Sequence, residues 1–420
     1  MNYSQTALDF LEKGQLDDFE KNYKLALKND TDEYLFSLAE ELYSYGFSDH
    51  SKEIYEQLLK KYPDDDTLKV NLAELAIDAD DDDKALEYLS FVSPDSDEYV
   101  SSLMVSADLY QTQGLIENSE QKLLEAQLLA PEEPAIWLAL AEFYFSTRQF
   151  QKAIKYYIDL IKSGVTEMSA INLVERLGVA YAQTGKFEQA VGYLEQIKTI
   201  NMNSDVKFEL GFTYFNLKEY QQAIDVFEEI REDEPQYSSL YPYLADAYVE
   251  QNQVDKALIT VQEGLANDQY NEQLWVKASE IAKQAGQMEL VGEYLTKARE
   301  TAPDDISILS RLSDWYVDNG KDDENIELLK PVADQEMFDA HLSYNLAMSL
   351  SHKGDIKGAT TNFQIAEREL DTDTKFLKDA IFFYRENGDR DKEIELLKQY
   401  LKVDPEDFEM QSMLDEELDY

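Results

Sequence analysis

The chain has 420 residues, 44% of them apolar and 12% aromatic, which can bury a large core but is too long for one ordinary compact domain, so several domains or a repeat array are expected. Its 87 Asp and Glu against 38 Lys and Arg give a formal charge of -49, which repels phosphate backbones and anionic lipid and argues against nucleic acid as a direct partner. The absence of cysteine excludes disulfides and thiolate catalysis, and no stretch has the length of a membrane span or the pattern of a leader, so a cytoplasmic location without membrane insertion is expected.

In chain order the sequence reads as pairs of amphipathic helices, with apolar residues three and four apart on either side of a short turn. The turns fall at Gly14, Gly46, Asp80, Gly114, Arg148, Gly185, Lys218, Asn252, Gly286, Gly320, Gly354 and Gly388, mostly 34 residues apart. RLGVAYAQTGKFEQAVGYLEQI, beginning at Arg176, and ELGFTYFNLKEYQQAIDVFEEI, beginning at Glu209, are two copies of one phrase. Such a period over a whole chain marks a repeat protein, here of twelve units. Gly and Asn suit the left-handed conformation that ends a helix; at Arg148 and Lys218 the same turn is expected to be enforced by packing.

With each turn residue numbered position 15, position 8 is small in eleven units, among them Ala39, Gly178 and Gly211. Position 20 is small in eight, with Phe19, Val291, Asn325 and Glu393 departing, and position 32 is Pro63, Pro131, Pro235, Pro303 and Pro405. In these features the chain resembles the tetratricopeptide repeat (TPR) family over essentially its whole length. The resemblance implies an all-α fold, a right-handed α-α superhelix of about twelve helix-turn-helix repeats, working as a binding scaffold rather than an enzyme.

Irregularities subdivide the array. Extra residues near Lys162 to Glu167 lengthen one joint, and Pro94 and Pro331 shorten the second helices of the third and tenth units. One continuous solenoid is expected, with repeats 1–5 in residues 1–165, repeats 6–12 in 166–405 and a capping helix in 406–420 that shields the last core.

No chemistry is added to this scaffold. His50, His341 and His352 are not spaced as ligands, and no phosphate loop, G-x-S-x-G or H-E-x-x-H occurs. DADDDD, Asp78 to Asp83, fails as a calcium loop because its sixth and twelfth positions are Asp83 and Leu89; it reads as a turn whose carboxylates favour the next helix start. The tyrosines at position 11, among them Tyr144, Tyr214 and Tyr384, read as core. No catalytic residue, cofactor or metal is expected.

Positions 5, 9 and 12 form a stripe beside the buried one, and the resemblance implies that this stripe lines a concave peptide groove. Position 9 is Glu40, Glu74, Asp108 and Glu142 in units two to five, then Val179 and Phe212, then Asp246, Glu280 and Asp314. Position 5 adds Phe36, Val70, Met104, Leu138, Phe208 and Val276, and Phe215 stands at position 12 beside Phe208 and Phe212. A ladder of carboxylates beside apolar residues suits a basic, partly apolar protein segment, burial giving affinity and charge giving selection. The Lys and Asn pair with which family members grip acidic chaperone tails is missing; Lys378 at position 5 is followed by Phe382 at position 9.

The sequence therefore reads as a scaffold or adaptor binding one or more basic proteins or peptides, with self-association into a homodimer left open. A peptide-sensing regulator is the alternative, though such regulators usually add an N-terminal effector or DNA-binding module and the first repeat here starts almost at Met1. An enzyme using groove carboxylates is disfavoured, because no base or nucleophile converges on them. Acidity serving solubility alone is the plainest competing reading.

Overall fold

The computed structural model describes residues 2–197, 202–333 and 339–418. The chain divides into two compact units, Met1–Asn201 and Met202–Tyr420, each built of successive helical hairpins. In the first unit these are α1 (Tyr3–Glu12) with α2 (Leu16–Asn29), α3 (Asp32–Ser44) with α4 (Ser48–Lys61), and α5 (Asp66–Asp78) with α6 (Asp82–Ser90). Then come α7 (Tyr99–Thr112) with α8 (Ile116–Leu129), α9 (Pro134–Ser146) with α10 (Phe150–Lys162), and, after the two-residue strands β1 (Glu167–Met168) and β2 (Ile171–Asn172), α11 (Leu173–Gln183) with α12 (Phe187–Leu194).

The second unit contains α13 (Ser204–Asn216) with α14 (Tyr220–Asp233), α15 (Leu240–Glu250) with α16 (Val254–Asn267), and α17 (Glu272–Gln284) with α18 (Met288–Thr301). It continues with α19 (Ile306–Asp318) and α20 (Asp322–Leu329), α21 (Ala340–His352) and α22 (Ile356–Leu370), α23 (Thr374–Glu386) and α24 (Arg390–Val403), and ends in α25 (Phe408–Leu418). The twelve hairpins that the period predicts are present, and the fold is all-α apart from the β1/β2 pair.

All twelve turn residues lie at positive φ. In every one the amide after the turn donates to the carbonyl of position 11, five residues back, as Lys186 does to Tyr181 and Glu219 to Tyr214, both at 2.9 Å. This bond satisfies a carbonyl that the helix end would leave unpaired. Asp80, Arg148 and Lys218 take φ of 55°, 58° and 63° themselves. Arg148 and Lys218 thus make the same turn as the glycines, as the sequence leads one to expect, and they do so at a cost to an L-residue with a side chain.

The small residue at position 8 has a direct cause. A Cβ on Gly178 would stand 2.7 Å from Leu194 Cδ2, and one on Gly211 2.6 Å from Phe227 Cε1. The four departures at position 20 remain inside: Phe19, Val291, Asn325 and Glu393 are all buried. Of the position-11 tyrosines Tyr144, Tyr214, Tyr248 and Tyr384 are buried, while Tyr110, Tyr181 and Tyr316 are half-buried. In the acidic run, Asp80 is the turn and the Asp81 side chain accepts from the Lys84 amide to cap α6. No group of metal-ligating side chains occurs among the described residues.

The extra residues between α10 and α11 form the β1/β2 hairpin, in which Glu167 faces Asn172. Its corner residues, Ser169 and Ala170, lie at φ 50° and 60°. The α6 helix ends at Ser90 ahead of Pro94, and α20 ends at Leu329 ahead of Pro331. The α25 helix buries Met410 and Met413 against the last hairpin, and Lys378 holds Asp407 at 2.7 Å just before it.

Candidate acidic groove

The carboxylates of position 9 divide into two kinds according to what the next repeat places at its position 6. Where that residue is a cation, the carboxylate is held. Arg176 Nη2 lies 3.3 Å from Glu142 Oε2, Lys277 Nζ 2.6 Å from Asp246 Oδ2, and Arg311 Nη1 2.5 Å from Glu280 Oε1. Glu142 also accepts from the Tyr157 hydroxyl at 2.5 Å. For Asp314 of the tenth repeat Asn345 takes the cation's place, donating to Asp314 Oδ1 at 2.7 Å while His341 Nε2 stands 2.6 Å away. Burial works against the Asp314 charge, but the His341 and Asn345 hydrogen bonds hold its carboxyl below the usual range.

Repeats two to four are different. The position-6 residues that follow Glu40, Glu74 and Asp108 are Asn71, Val105 and Ala139. Among the described residues none of these three carboxylates is in a hydrogen bond or ion pair. Glu40 and Asp108 are exposed, and Glu74 is half-buried. Burial pushes the Glu74 carboxyl upward, and the negative charges of Asp78 and Asp108 push it further. A cavity of about 300 Å³ opens here, lined by Tyr43, Glu74, Ile77, Asp78, Met104, Val105 and Asp108. The Tyr43 hydroxyl donates to Asp78 at 2.7 Å. The cavity thus has an apolar wall and three carboxylates, and none of the three meets a cation.

The apolar half of the expected stripe is less uniform. Val70 and Leu138 are 3% and 7% exposed, too buried to touch a partner, because position 5 there turns into the contact between neighbouring hairpins. Leu138 belongs to the core around Tyr157 and Leu177. Phe36 and Met104 stay half-buried, with Phe36 edge-on to Tyr55 at 5.6 Å. In the second unit Phe208, Phe212 and Phe215 surround Tyr243, with centroids 5.6, 5.2 and 5.9 Å from it. Tyr243 is the position-6 residue after Phe212, so an aromatic pair fills the slot that ion pairs fill elsewhere. Val276 is half-buried one turn from Glu280.

Reading position 9 alone misses Tyr43, Asp78, Tyr243 and the three pairing cations. A cation at position 6 of the following repeat carries the missing signal, because it marks Glu142, Asp246 and Glu280 as closed; Asn there does not, since Asn345 closes Asp314 and Asn71 leaves Glu40 open.

Family descriptions agree with the repeat geometry. Residues 111–165 match "YpiA-like, tetratricopeptide repeats" and 341–407 match "YpiA-like, C-terminal tetratricopeptide repeats". General tetratricopeptide repeat descriptions match 214–279 and 173–204. TPR repeat-containing protein YpiA from Bacillus subtilis (strain 168) is 29% identical over 410 residues, 98% of this chain and 97% of that one. Among solved structures, a tetratricopeptide repeat protein from Parabacteroides merdae is 17% identical over 61% of this chain and 97% of that one, with a TM-score of 0.41. YrrB, described as a TPR protein with an unusual peptide-binding site, is 15% identical over 44% of this chain and 96% of that one, with a TM-score of 0.38. The chain belongs to the tetratricopeptide repeat family.

Proposed function

We propose that this protein is a non-catalytic interaction scaffold whose second to fourth repeats hold a basic, partly apolar segment of a partner protein. Tetratricopeptide repeats bind other proteins or peptides, and the finer reading rests on the open carboxylates Glu40, Glu74 and Asp108. A Lys or Arg side chain has an apolar stem and a charged head. The cavity between the third and fourth repeats offers Ile77, Met104 and Val105 to such a stem and Glu74, Asp78 and Asp108 to such a head. Binding a cation there also relieves the mutual repulsion that raises the Glu74 carboxyl.

Glu142, Asp246, Glu280 and Asp314 belong to the same stripe, but their charges are already met within the chain. In this reading they join repeats to one another, and the aromatic patch of Phe208, Phe212 and Phe215 is the apolar anchor of the second unit. A cytoplasmic location fits the same reading.

The test is fluorescence anisotropy with a labelled amphipathic peptide of Lys, Arg and Leu, and a second peptide in which Glu replaces each cation. The basic peptide should bind, weaken as salt rises, and lose most of its affinity to a Glu74→Gln, Asp108→Asn variant. Equal binding of both peptides, or of wild type and variant, would sink the proposal.

A further inference from the structure

A second cleft lies in the other unit, bounded by α16, α17 and α18, with a volume of about 700 Å³ against about 300 Å³ at the acidic cavity. Two aromatic rings form its interior: Trp275 and Tyr294 sit 5.7 Å apart, tilted by 43°. A third, Tyr270, stands at its edge and is 76% exposed. The Trp275 indole N–H donates to the Gln269 carbonyl at 2.9 Å, which fixes the ring. The Gln262 amide donates to the Tyr294 hydroxyl oxygen at 2.8 Å. That phenol is thereby an acceptor, and its own proton has no acceptor among the described residues.

Charge separates this cleft from the rest of a chain with a formal charge of -49. Its ionised lining residues, Lys297 and Glu300, close on each other at 2.7 Å. With that pair closed, neither a basic nor an acidic segment finds an open counter-ion in the lining. The cleft offers ring faces together with hydrogen-bonding groups: the Tyr294 hydroxyl as a donor, and the side-chain amides of Gln262 and Gln269, each with an N–H donor and an acceptor oxygen.

A ligand matched to that offer is uncharged, flat-sided and carries an acceptor for the Tyr294 proton. Proline meets each condition: its ring packs on aromatic faces, its carbonyl accepts, and it has no N–H to leave unpaired. Consecutive prolines are also extended beforehand, one turn spanning about 9 Å, so little chain entropy is lost on docking. We propose that this cleft docks a proline-rich segment in the polyproline II conformation, a ligand class different from the one the acidic groove selects.

The experiment uses the full chain and a fluorescein-labelled neutral peptide containing a run of prolines, with a Gly/Ser peptide of equal length as control. The proline peptide should bind, the control should not, and added salt should leave the affinity unchanged. Tyr270→Ser and Tyr294→Phe should each weaken binding about five- to tenfold, as loss of one stacking face or one hydrogen bond does, while circular dichroism and the melting temperature report an intact fold. Glu74→Gln should bind as wild type does. Binding of the control, or equal affinity for wild type and both variants, would overturn the proposal. So would sedimentation showing that the chain self-associates and that Tyr270→Ser abolishes it, since the occupant would then be a second copy.

Discussion

Lys277 reaches back from one repeat to Asp246 of the repeat before it, its Nζ 2.6 Å from the carboxylate Oδ2. The two residues are 31 apart in sequence, and the same step carries Arg311 to Glu280. The geometry belongs to the repeat, so an Arg or Lys at position 6 closes the slot of the preceding carboxylate, whereas Asn closes it once, at Asn345 beside Asp314, and leaves it open once, at Asn71 after Glu40. Four slots are closed by Arg, Lys or Asn, one is filled by Phe212 and Tyr243, and those after Glu40, Glu74 and Asp108 are open.

Closing an open slot is the most direct test of this rule. Ala139 stands after Asp108 where Arg176 stands after Glu142. Ala139→Arg should therefore pair with Asp108, weaken binding of a basic peptide by about tenfold and change stability by less than about 1 kcal/mol. Anisotropy and urea unfolding on the same sample check both. Undiminished binding in a folded variant would separate the acidic groove from partner recognition.

The converse substitution opens a closed slot. Lys277→Gln leaves Asp246 without its cation. Both groups are partly exposed, so the expected loss is about 0.2–1 kcal/mol. The second unit should then give up one neutralised charge, and basic peptides should bind the variant more tightly than wild type at low salt, with the gain disappearing at high salt. No gain at low salt would show that slot pairing does not govern access.

The sequence made the hairpins legible because their signals are local: a turn residue that tolerates positive φ, a small residue at position 8 and apolar residues three and four apart. Pairing across repeats was not legible, because Asp246 and Lys277 come together only through the stacking of separate hairpins. The buried state of Val70 and Leu138 was hidden for the same reason, since position 5 lies on the border between groove and core and its neighbours decide. Arg148 and Lys218 were recognised as turns by period alone, and their left-handed backbone appears only in the structure.

Phenols bond carboxylates of neighbouring helices in this cation-poor chain. The Tyr23, Tyr157 and Tyr344 hydroxyls donate to Glu53, Glu142 and Asp379, and burial followed by those carboxylates pushes all three phenols upward. Tyr384, 3% exposed and with an unpaired hydroxyl, is pushed up to about 12 by burial and by the charges of Glu367, Asp389 and Glu395. A folded value above the unfolded value near 10 means stability that is complete below pH 10 and lost as pH rises toward 12. The loss is roughly 1.4 kcal/mol per pH unit for each such phenol. Tyr384→Phe should match or exceed wild-type stability at pH 8, because it removes a buried unpaired hydroxyl, and should shed part of the alkaline decline. Urea unfolding at pH 8, 10 and 11 measures both effects; a large loss at pH 8 would contradict them.

His341 gives a weaker dependence nearer neutrality. Its hydrogen bond to Asp314 raises its proton affinity, burial opposes this, and the charges of Asp314 and Asp339 add to the rise. The folded imidazole therefore holds its proton more tightly than the unfolded one. That stabilisation is complete below pH 6.5 and lost as pH rises through the folded value. The effect is modest because the side chain is 43% exposed. His341→Gln should flatten the stability curve between pH 6 and 8 (roughly the range in which a histidine titrates), and an unchanged slope would mean that the Asp314 contact does not persist in solution.

The strained turns predict stabilisation by removing a side chain. Arg148 and Lys218 are exposed, lie at φ 58° and 63°, and stand where eight other repeats have glycine. The left-handed conformation costs such residues about 1–2 kcal/mol, and glycine offsets part of the gain by a larger loss of chain entropy, about 0.5–1 kcal/mol. Arg148→Gly and Lys218→Gly should each stabilise by about 0.5–1 kcal/mol, and because they lie in different units the effects should add. Gly211→Ala runs the other way, since its Cβ would stand 2.6 Å from Phe227 Cε1 and force a repacking that costs about 1–3 kcal/mol. Chemical denaturation of the three variants decides the matter: if both glycine substitutions destabilise, the turns are held by something other than the backbone preference argued here.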